Sequence, residues 1–345
     1  MKLNFSDPGN FPLPDTAFQQ KVLHFVTEFL SDGERVEVQT SGSTGIPKIF
    51  EIEKSRMLNS AKATCNFLGL KEGDSALLCL PVEYISGKMM VVRSLERKLN
   101  LSVAEPSLHP LKHLDESIDF CAMTPLQVEN SLDKIHFIKN LIIGGAAVSE
   151  TLKRRIKECL STNNPQLTTK IYETYGMSET LSHIALKELY PDNQEYFQLF
   201  DGVEISRDER GCLKINAPEL NPEILQTNDI VEIRSPKEFS FLGRADNIIN
   251  SGGAKIYPEQ LESLVKKEIP NEAVFLGIPD EKFGQQLVLA VEGNYAVSLH
   301  DRLSQIRYEK SYQKPKEVFF IQEFPRTPNG KINRPELQRL VSKTR

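Results

Sequence analysis

The sequence has no C-x-x-C pair, no apolar run long enough to cross a membrane and no excess of positive charge. Each absence closes off a class of function. The five cysteines, Cys65, Cys79, Cys121, Cys159 and Cys212, are odd in number and lie mostly in apolar segments. That argues against a disulfide framework or zinc knuckle, and for packing thiols in a reducing compartment. The opening stretch from Met1 to Pro14 lacks the apolar core of a signal peptide. Without a span of membrane length, the expectation is a cytoplasmic protein with no membrane insertion. A formal net charge of −5 gives no support to general binding of nucleic acid or anionic membrane. An anionic ligand in a locally positive site stays open, as does a homo-oligomer. There is no internal repeat and no low-complexity tract.

What is present is ordinary globular composition: 345 residues, 39% hydrophobic and 26% charged. Length suggests two domains, or a large one with a small one. Phe18, Val22, Phe25, Val26, Phe29 and Leu30 follow helical spacing over 16–30, with Asp15 placed to cap. Short strands at Val36–Val38 and Ile49–Ile52 flank a polar glycine loop, and a helix over 55–68 stops at Gly69. Apolar runs at 76–80, 119–123 and 140–143 alternate with helical patterns at 87–98, 125–132 and 149–160. Such alternation predicts an α/β fold with a mostly parallel sheet covered on both faces. From 182 to 242 short alternating strands take over, with a hairpin signal at 207–211, and read as a distorted antiparallel or barrel-like β subdomain. Beyond Asp246 the pattern is helix 258–267, strands 273–278 and 286–292, helix 299–309 and strand 317–321, a small α+β unit. The expected domains are therefore 1–245 and 246–345.

Thr40-Ser41-Gly42-Ser43-Thr44-Gly45, followed by Ile46-Pro47-Lys48, alternates hydroxyls with glycines. Glycines let backbone N–H groups converge on one anion, hydroxyls add donors, and the lysine adds a point charge suited to phosphate. The loop does not fit G-x-x-x-x-G-K-[ST]. A serine–glycine run alone reads first as a flexible hairpin turn; the terminal Pro47-Lys48 and the companion motifs turn the reading to phosphate. Tyr172-Glu173-Thr174-Tyr175-Gly176-Met177-Ser178-Glu179-Thr180 runs from a strand into a glycine turn with a hydroxyl and a carboxylate. Beside a triphosphate the carboxylate suits Mg²⁺; otherwise Ser178 is a helix cap. Thr227-Asn228-Asp229, Gly243-Arg244-Ala245-Asp246, the turn Ser251-Gly252-Gly253 and Pro325-Arg326-Thr327-Pro328-Asn329-Gly330-Lys331 complete the set. Aspartate and arginine suit ribose hydroxyls and phosphate.

Taken in this order, the motifs resemble those of the adenylate-forming superfamily of acyl- and aryl-CoA synthetases, luciferases and peptide-synthetase adenylation domains. The resemblance spans about residues 36–337. It implies a large N-terminal domain and a small mobile C-terminal one hinged at Asp246. It implies ATP and coenzyme A as co-substrates, Mg²⁺ as cofactor and an AMP-forming acid–thiol ligase activity. Thr40 to Gly45 and Lys48 would hold the β- and γ-phosphates. Ser178 would touch phosphate and Glu179 would bind Mg²⁺. Gly144, Gly145 and Ala146 match the adenine-side segment, Tyr172, Glu173, Thr174, Tyr175 and Gly176 the adenine and acyl pocket. Asp229 and Arg244 would take the ribose, Ser251, Gly252 and Gly253 would lie on the thiol side, and Lys331 would be the catalytic lysine. Two positions depart from the pattern: Asn228 stands where glycine is usual, and Tyr84 where the family has histidine. The portion before the phosphate loop is also short.

Leu80-Pro-Val-Glu-Tyr-Ile-Ser-Gly-Lys-Met-Met90 is most similar to the o-succinylbenzoate-activating branch, which serves menaquinone biosynthesis. Such a substrate carries a second carboxylate that needs a cation or polar donors. Lys88 and Arg93 both follow Tyr84, a little over one helical turn apart; Lys88 is the preferred partner, against its reading as a surface lysine. His109 and His113 lie four apart but have no carboxylate framework and read as surface histidines. The alternatives are another aryl- or acyl-CoA synthetase, and an inactive nucleotide-binding homologue serving as a binding module.

Overall fold

The computed structural model describes residues 1–39, 49–163, 168–326 and 332–344. Thr40 to Lys48 and Lys331 lie outside the described residues.

The first half of the chain holds β1 (Lys2–Asn4), α1 (Ala17–Leu30), β2 (Arg35–Gln39), β3 (Ile49–Glu53), α2 (Lys54–Leu68), β4 (Ser75–Leu78), α3 (Ile85–Arg97) and β5 (Asn100–Val103). It continues with β6 (Ile118–Met123), α4 (Pro125–Glu129), β7 (Ile138–Ile143), α5 (Glu150–Asn163) and β8 (Lys170–Gly176). Strands follow in succession: β9 (His183–Tyr190), β10 (Phe197–Leu199), β11 (Glu204–Arg207), β12 (Cys212–Ala217), β13 (Asn221–Ser235) and β14 (Glu238–Arg244). The remainder is β15 (Ile249–Ser251), β16 (Ala254–Ile256), α6 (Pro258–Glu268), β17 (Ala273–Asp280), β18 (Gly284–Glu292), α7 (Val297–Ser304), β19 (Glu317–Ile321) and α8 (Arg334–Thr344).

Strands β5, β4, β6, β7 and β8 run parallel. Alternation along them separates two apolar layers. Ala76, Leu78, Phe120, Ala122 and Ile142 face a core shared with Val22, Phe25 and Phe29 of α1, Met57 and Ala61 of α2, and Met89 and Met90 of α3. Leu77, Cys79, Cys121, Met123, Leu141 and Ile143 face the other core, closed by Val128 of α4 and Leu152, Ile156 and Leu160 of α5. Each large apolar side chain so buried contributes about 1.5–3 kcal/mol. This is the covered α/β sheet that the pattern predicts.

The antiparallel stretch is also present, but it is not a separate body. Strand β9 pairs antiparallel with β8, and β10, β14, β13, β12 and β11 extend the same sheet to twelve strands. Register shifts within β12–β13 and β13–β14 supply its distortion. Strands β15 to β19 form a second sheet. Its faces are closed by Leu261 and Val265 of α6 and by Leu337 and Val341 of α8.

Local details adjust the expectations. Thr16, not Asp15, caps α1, accepting from the Gln19 backbone N–H at 3.2 Å. Leu30 is 53% exposed, because it closes the helix beyond the covered stripe. Helix α4 stops at Glu129, where Asn130 donates from its side chain to the Leu126 carbonyl. Helix α7 ends at Ser304 rather than 309, and Ile306 turns into the core. Gly69 ends α2 at a φ of +66°, the left-handed conformation expected there.

Candidate active site

The C-terminal ends of the parallel strands open into a cavity of about 510 Å³. This is the position at which open α/β sheets receive ligands, and the volume suits a small molecule. Leu80 and Pro81 follow β4, Met123 ends β6 and Thr124 follows it, and Gly144 and Gly145 follow β7; Thr174 and Gly176 end β8. Tyr84, Ile85 and Ser86 bring in the start of α3, and Gln39 and Phe50 the inner ends of the β2–β3 pair. Gln39 also bridges to Tyr84. The residues flanking the hydroxyl–glycine loop therefore belong to the cavity wall.

Three glycines permit this closeness. A Cβ on Gly87 would lie 2.2 Å from the Pro81 carbonyl oxygen, so the first turn of α3 sits directly on the loop after β4. One on Gly144 would lie 2.7 Å from Thr174 Oγ1. One on Gly176 would lie 2.3 Å from the Ser182 carbonyl oxygen and 2.4 Å from the His183 Cα.

Of the residues singled out from sequence, Tyr84, Gly144, Gly145, Thr174, Gly176 and Ser178 line this cavity. Glu179, next to Ser178, is exposed. A second group assembles where β13 meets β14: Tyr175 donates its hydroxyl to Asp229 Oδ2 at 2.7 Å, and Arg244 pairs with Asp229 Oδ1 at 3.4 Å and with Asp246 at 3.2 Å. Burial, with Asp229 beside it, pushes the Tyr175 phenol upward, so it stays a donor. Asn228 reaches Asp246 with its side-chain amide at 3.3 and 3.2 Å, and its oxygen accepts from Arg210 at 3.0 Å. The asparagine that departs from the family pattern is thus tied to the residue expected to act as hinge.

Other expectations need correction. Tyr172 is 6% exposed and packs edge-on against Phe67, inside the core rather than along the cavity. Glu173 points to the opposite side of β8, accepts from the Val148 backbone N–H at 2.9 Å and pairs with Lys187 at 2.9 Å. It anchors the segment containing Gly144, Gly145 and Ala146 from behind, and Ala146 itself is exposed outside the cavity wall. Lys88 lies over the Phe25 ring at 4.4 Å, toward α1, and burial draws its pKa down. Arg93, not Lys88, lines the cavity, at 2% exposure. Residues 88 and 93 sit five apart, about 140° around a helix of 3.6 residues per turn, so one faces α1 when the other faces the cavity. Ser251-Gly252-Gly253 forms the β15–β16 turn, with φ of +58° and +82° at the glycines, and does not line the cavity.

The sequence reading missed Ser182 and His183, which follow the glycine–hydroxyl–carboxylate motif and also line the cavity. Arg93 donates from Nη2 to Ser182 Oγ at 2.6 Å. Its Nε has no hydrogen-bond partner among the described residues, and no carboxylate there pairs with it. Burial lowers its pKa to about 10, which leaves it charged at neutral pH. No His/Cys/Asp/Glu cluster suited to a metal occurs among the described residues, and none of their helices is long and apolar enough to cross a membrane.

A profile of the AMP-binding enzyme family matches residues 38–203. The crystal structure of an acyl-CoA synthetase (AMP-forming)/AMP-acid ligase II-like protein from Dyadobacter fermentans is 34% identical, superposes with a TM-score of 0.67, and the match covers 99% of each chain. The chain belongs to the AMP-binding enzyme family. A 2–succinylbenzoate–CoA ligase of Lactococcus lactis is 28% identical over 90% of this chain and 72% of that protein. The ATP- and magnesium-bound O-succinylbenzoate coenzyme A synthetase of Bacillus subtilis shares the fold at a TM-score of 0.70 and 20% identity, over 88% of this chain and 69% of that one. Among the described residues, the cavity at the strand ends and the Asp229–Arg244 group are the two places where residues of the sequence motifs gather.

Proposed function

We propose that this AMP-binding enzyme is an ATP-dependent acid–thiol ligase that activates o-succinylbenzoate and passes the acyl group to coenzyme A, a step of menaquinone biosynthesis. A carboxylate resists thiolate attack because its leaving group would be oxide. In the first step a carboxylate oxygen bonds to the α-phosphorus of ATP, and the bond to the bridging oxygen breaks to release pyrophosphate. In the second, the coenzyme A thiolate bonds to the acyl carbon and AMP departs with the electron pair.

The single observation behind the choice of acid is Arg93. A guanidinium 2% exposed on a cavity wall, with no carboxylate partner among the described residues, carries a desolvation penalty of several kcal/mol until an anion meets it. A diacid supplies one: the first carboxylate goes to the nucleotide and the second to Arg93, in the geometry a guanidinium favours. An acid without the second charge leaves Arg93 bare, which is how a buried polar group enforces selection.

In this reading Thr40 to Gly45 with Lys48 hold the β- and γ-phosphates, and Ser178 adds a donor. Asp229 and Arg244 take the ribose, with Tyr175 fixing the carboxylate from behind. Lys331 donates to the carboxylate and the bridging oxygen; preorganised donors of this kind are worth roughly a hundred- to a thousandfold in rate each. Glu179 fits a hard cation: it is exposed beside Ser178 and makes no ion pair among the described residues. A Mg²⁺ ion held there would neutralise phosphate charge. Residues 246–345 would turn about Asp246 between the two steps, withdrawing Lys331 and bringing Ser251, Gly252 and Gly253 to the thiol side.

Incubation with ATP, Mg²⁺, coenzyme A and a panel of aryl and aliphatic acids, read by product mass, tests the reading. The o-succinylbenzoyl thioester should dominate. Efficient thioester formation only from monoacids would remove the diacid assignment and leave the ligase class intact.

A further inference from the structure

The guanidinium of Arg93 does not stand alone; it is one end of a hydrogen-bonded chain whose direction is fixed by chemistry. At the far end, Thr64 Oγ1 donates to the Ser60 carbonyl in its own helix at 3.1 Å. Its hydroxyl proton is therefore committed, and it meets His183 Nε2 at 3.1 Å as the acceptor. With Nε2 protonated, the neutral imidazole leaves Nδ1 as an acceptor. Ser182 Oγ lies 3.2 Å from Nδ1 and donates to it. That leaves the Ser182 oxygen lone pairs for Arg93 Nη2, at 2.6 Å. Thr64, His183, Ser182 and Arg93 Nη2 then each donate once, in one direction along the chain.

Three further observations say that this chain is built rather than incidental. Leu181 holds φ +65° and ψ −39°, a left-handed γ-turn rarely tolerated by a leucine, and the turn closes with Ser182 N to Thr180 O at 2.7 Å. Gly176 pairs with His183 at the close approach that any Cβ would prevent. The imidazole is 6% exposed, with the Phe200 ring edge-on at 5.4 Å. Burial, and then Arg93, holds the histidine well below its ordinary pKa, so the neutral form the chain requires is the one present.

We propose that His183 is a positioning residue that sets the selection of a second negative charge on the acid: by taking the Ser182 hydroxyl proton it turns that oxygen toward Arg93 and aims the guanidinium into the cavity. This rests on the reading that Arg93 receives the substrate's second carboxylate. With no acceptor at position 183, Ser182 is free to turn its proton toward Arg93, and the guanidinium loses its one side-chain tether among the described residues. A carboxamide, by contrast, presents an acceptor and a donor at the spacing of the two imidazole nitrogens.

The test compares kcat/KM for o-succinylbenzoate with that for benzoylpropionate, the same skeleton with hydrogen in place of the ring carboxylate, in the full-length enzyme. His183→Leu should lower the diacid-to-monoacid ratio about tenfold, the worth of one hydrogen bond to a charged group. The change should lie mainly in KM, and His183→Gln should restore the ratio to within about threefold, less than half of that energy. If His183→Leu does not fold, Ser182→Ala breaks the same link and should lower the ratio similarly. A ratio unchanged in the variant that folds, with both acids slowed alike, would mean that the imidazole only packs and would overturn the inference. Arg93→Met separates the two levels. A selective loss of the diacid with Arg93→Met but not with the 182 and 183 variants sinks this inference alone. No selective loss with Arg93→Met sinks the diacid reading beneath it.

Discussion

Arg93 is a residue the fold would be better off without. Among the described residues its buried guanidinium has no carboxylate partner, a net cost, and replacement of buried charge by an apolar side chain of similar volume commonly stabilises. Arg93→Met should therefore raise the unfolding free energy of the ligand-free enzyme by about 1–4 kcal/mol, measured in urea, while selection of the diacid is lost. A destabilised variant would mean that the hydrogen bond to Ser182 outweighs the cost of the buried charge. His183 makes a prediction of its own about pH. Its folded pKa lies below the ordinary value, chiefly through burial. As pH falls below about 6.5 the unfolded chain takes up a proton that the native imidazole refuses, so stability declines. Above that pH the contribution is fully present. His183→Gln should flatten this acid-side slope between about pH 6.5 and the unfolding midpoint; an unchanged slope would place the titration elsewhere. These two residues also show the limit of sequence reading at this scale. Arg93 was visible beside Lys88, but only the rotation of α3 decides which faces the cavity. Ser182 and His183 carry no motif, because a γ-turn at Leu181 delivers them.

Among the elements, β8 and the β13–β14 junction do most to shape the site. Glu173 is buried and its partner Lys187 half-buried, at 8% and 15% side-chain exposure, and Glu173 also receives the Val148 N–H. Glu173→Gln keeps an acceptor for Val148 but leaves Lys187 uncompensated, which should cost roughly 3 kcal/mol of stability in chemical denaturation; a loss below about 1 kcal/mol would mean that Lys187 is already balanced. At the junction, Asn228→Gly removes the side-chain hydrogen bonds to Asp246 and Arg210. One such bond is worth about 1 kcal/mol, so amide exchange across 245–251 should quicken by roughly fivefold. Unchanged exchange would detach Asn228 from the hinge assignment. Elements themselves were legible wherever apolar periodicity ran long, as in α1, α2, β6 and β7. Short helices were not: α4 and α7 end early because an Asn130 cap and the inward turn of Ile306 outrank the apolar pattern.

At the scale of the molecule, the strand–helix alternation announced the covered parallel sheet, and the change of pattern after Asp246 coincides with the start of a second sheet with its own cores. What the pattern could not convey was continuity: β9 pairs with β8, so the antiparallel strands extend the first sheet and carry Asp229 and Arg244 as part of it. The motif order conveyed the chemistry because each loop needs a distinct donor set, whereas the acid's identity depends on the side chains packed behind those loops. The step on which the proposed activity depends is the joining of a carboxylic acid to the α-phosphate of ATP. Exchange of labelled pyrophosphate into ATP measures that step directly. Label should enter ATP only when acid and Mg²⁺ are both present, and fastest with o-succinylbenzoate. No acid-dependent exchange with any acid, from folded protein that binds ATP, would contradict the account and leave a nucleotide-binding module in its place.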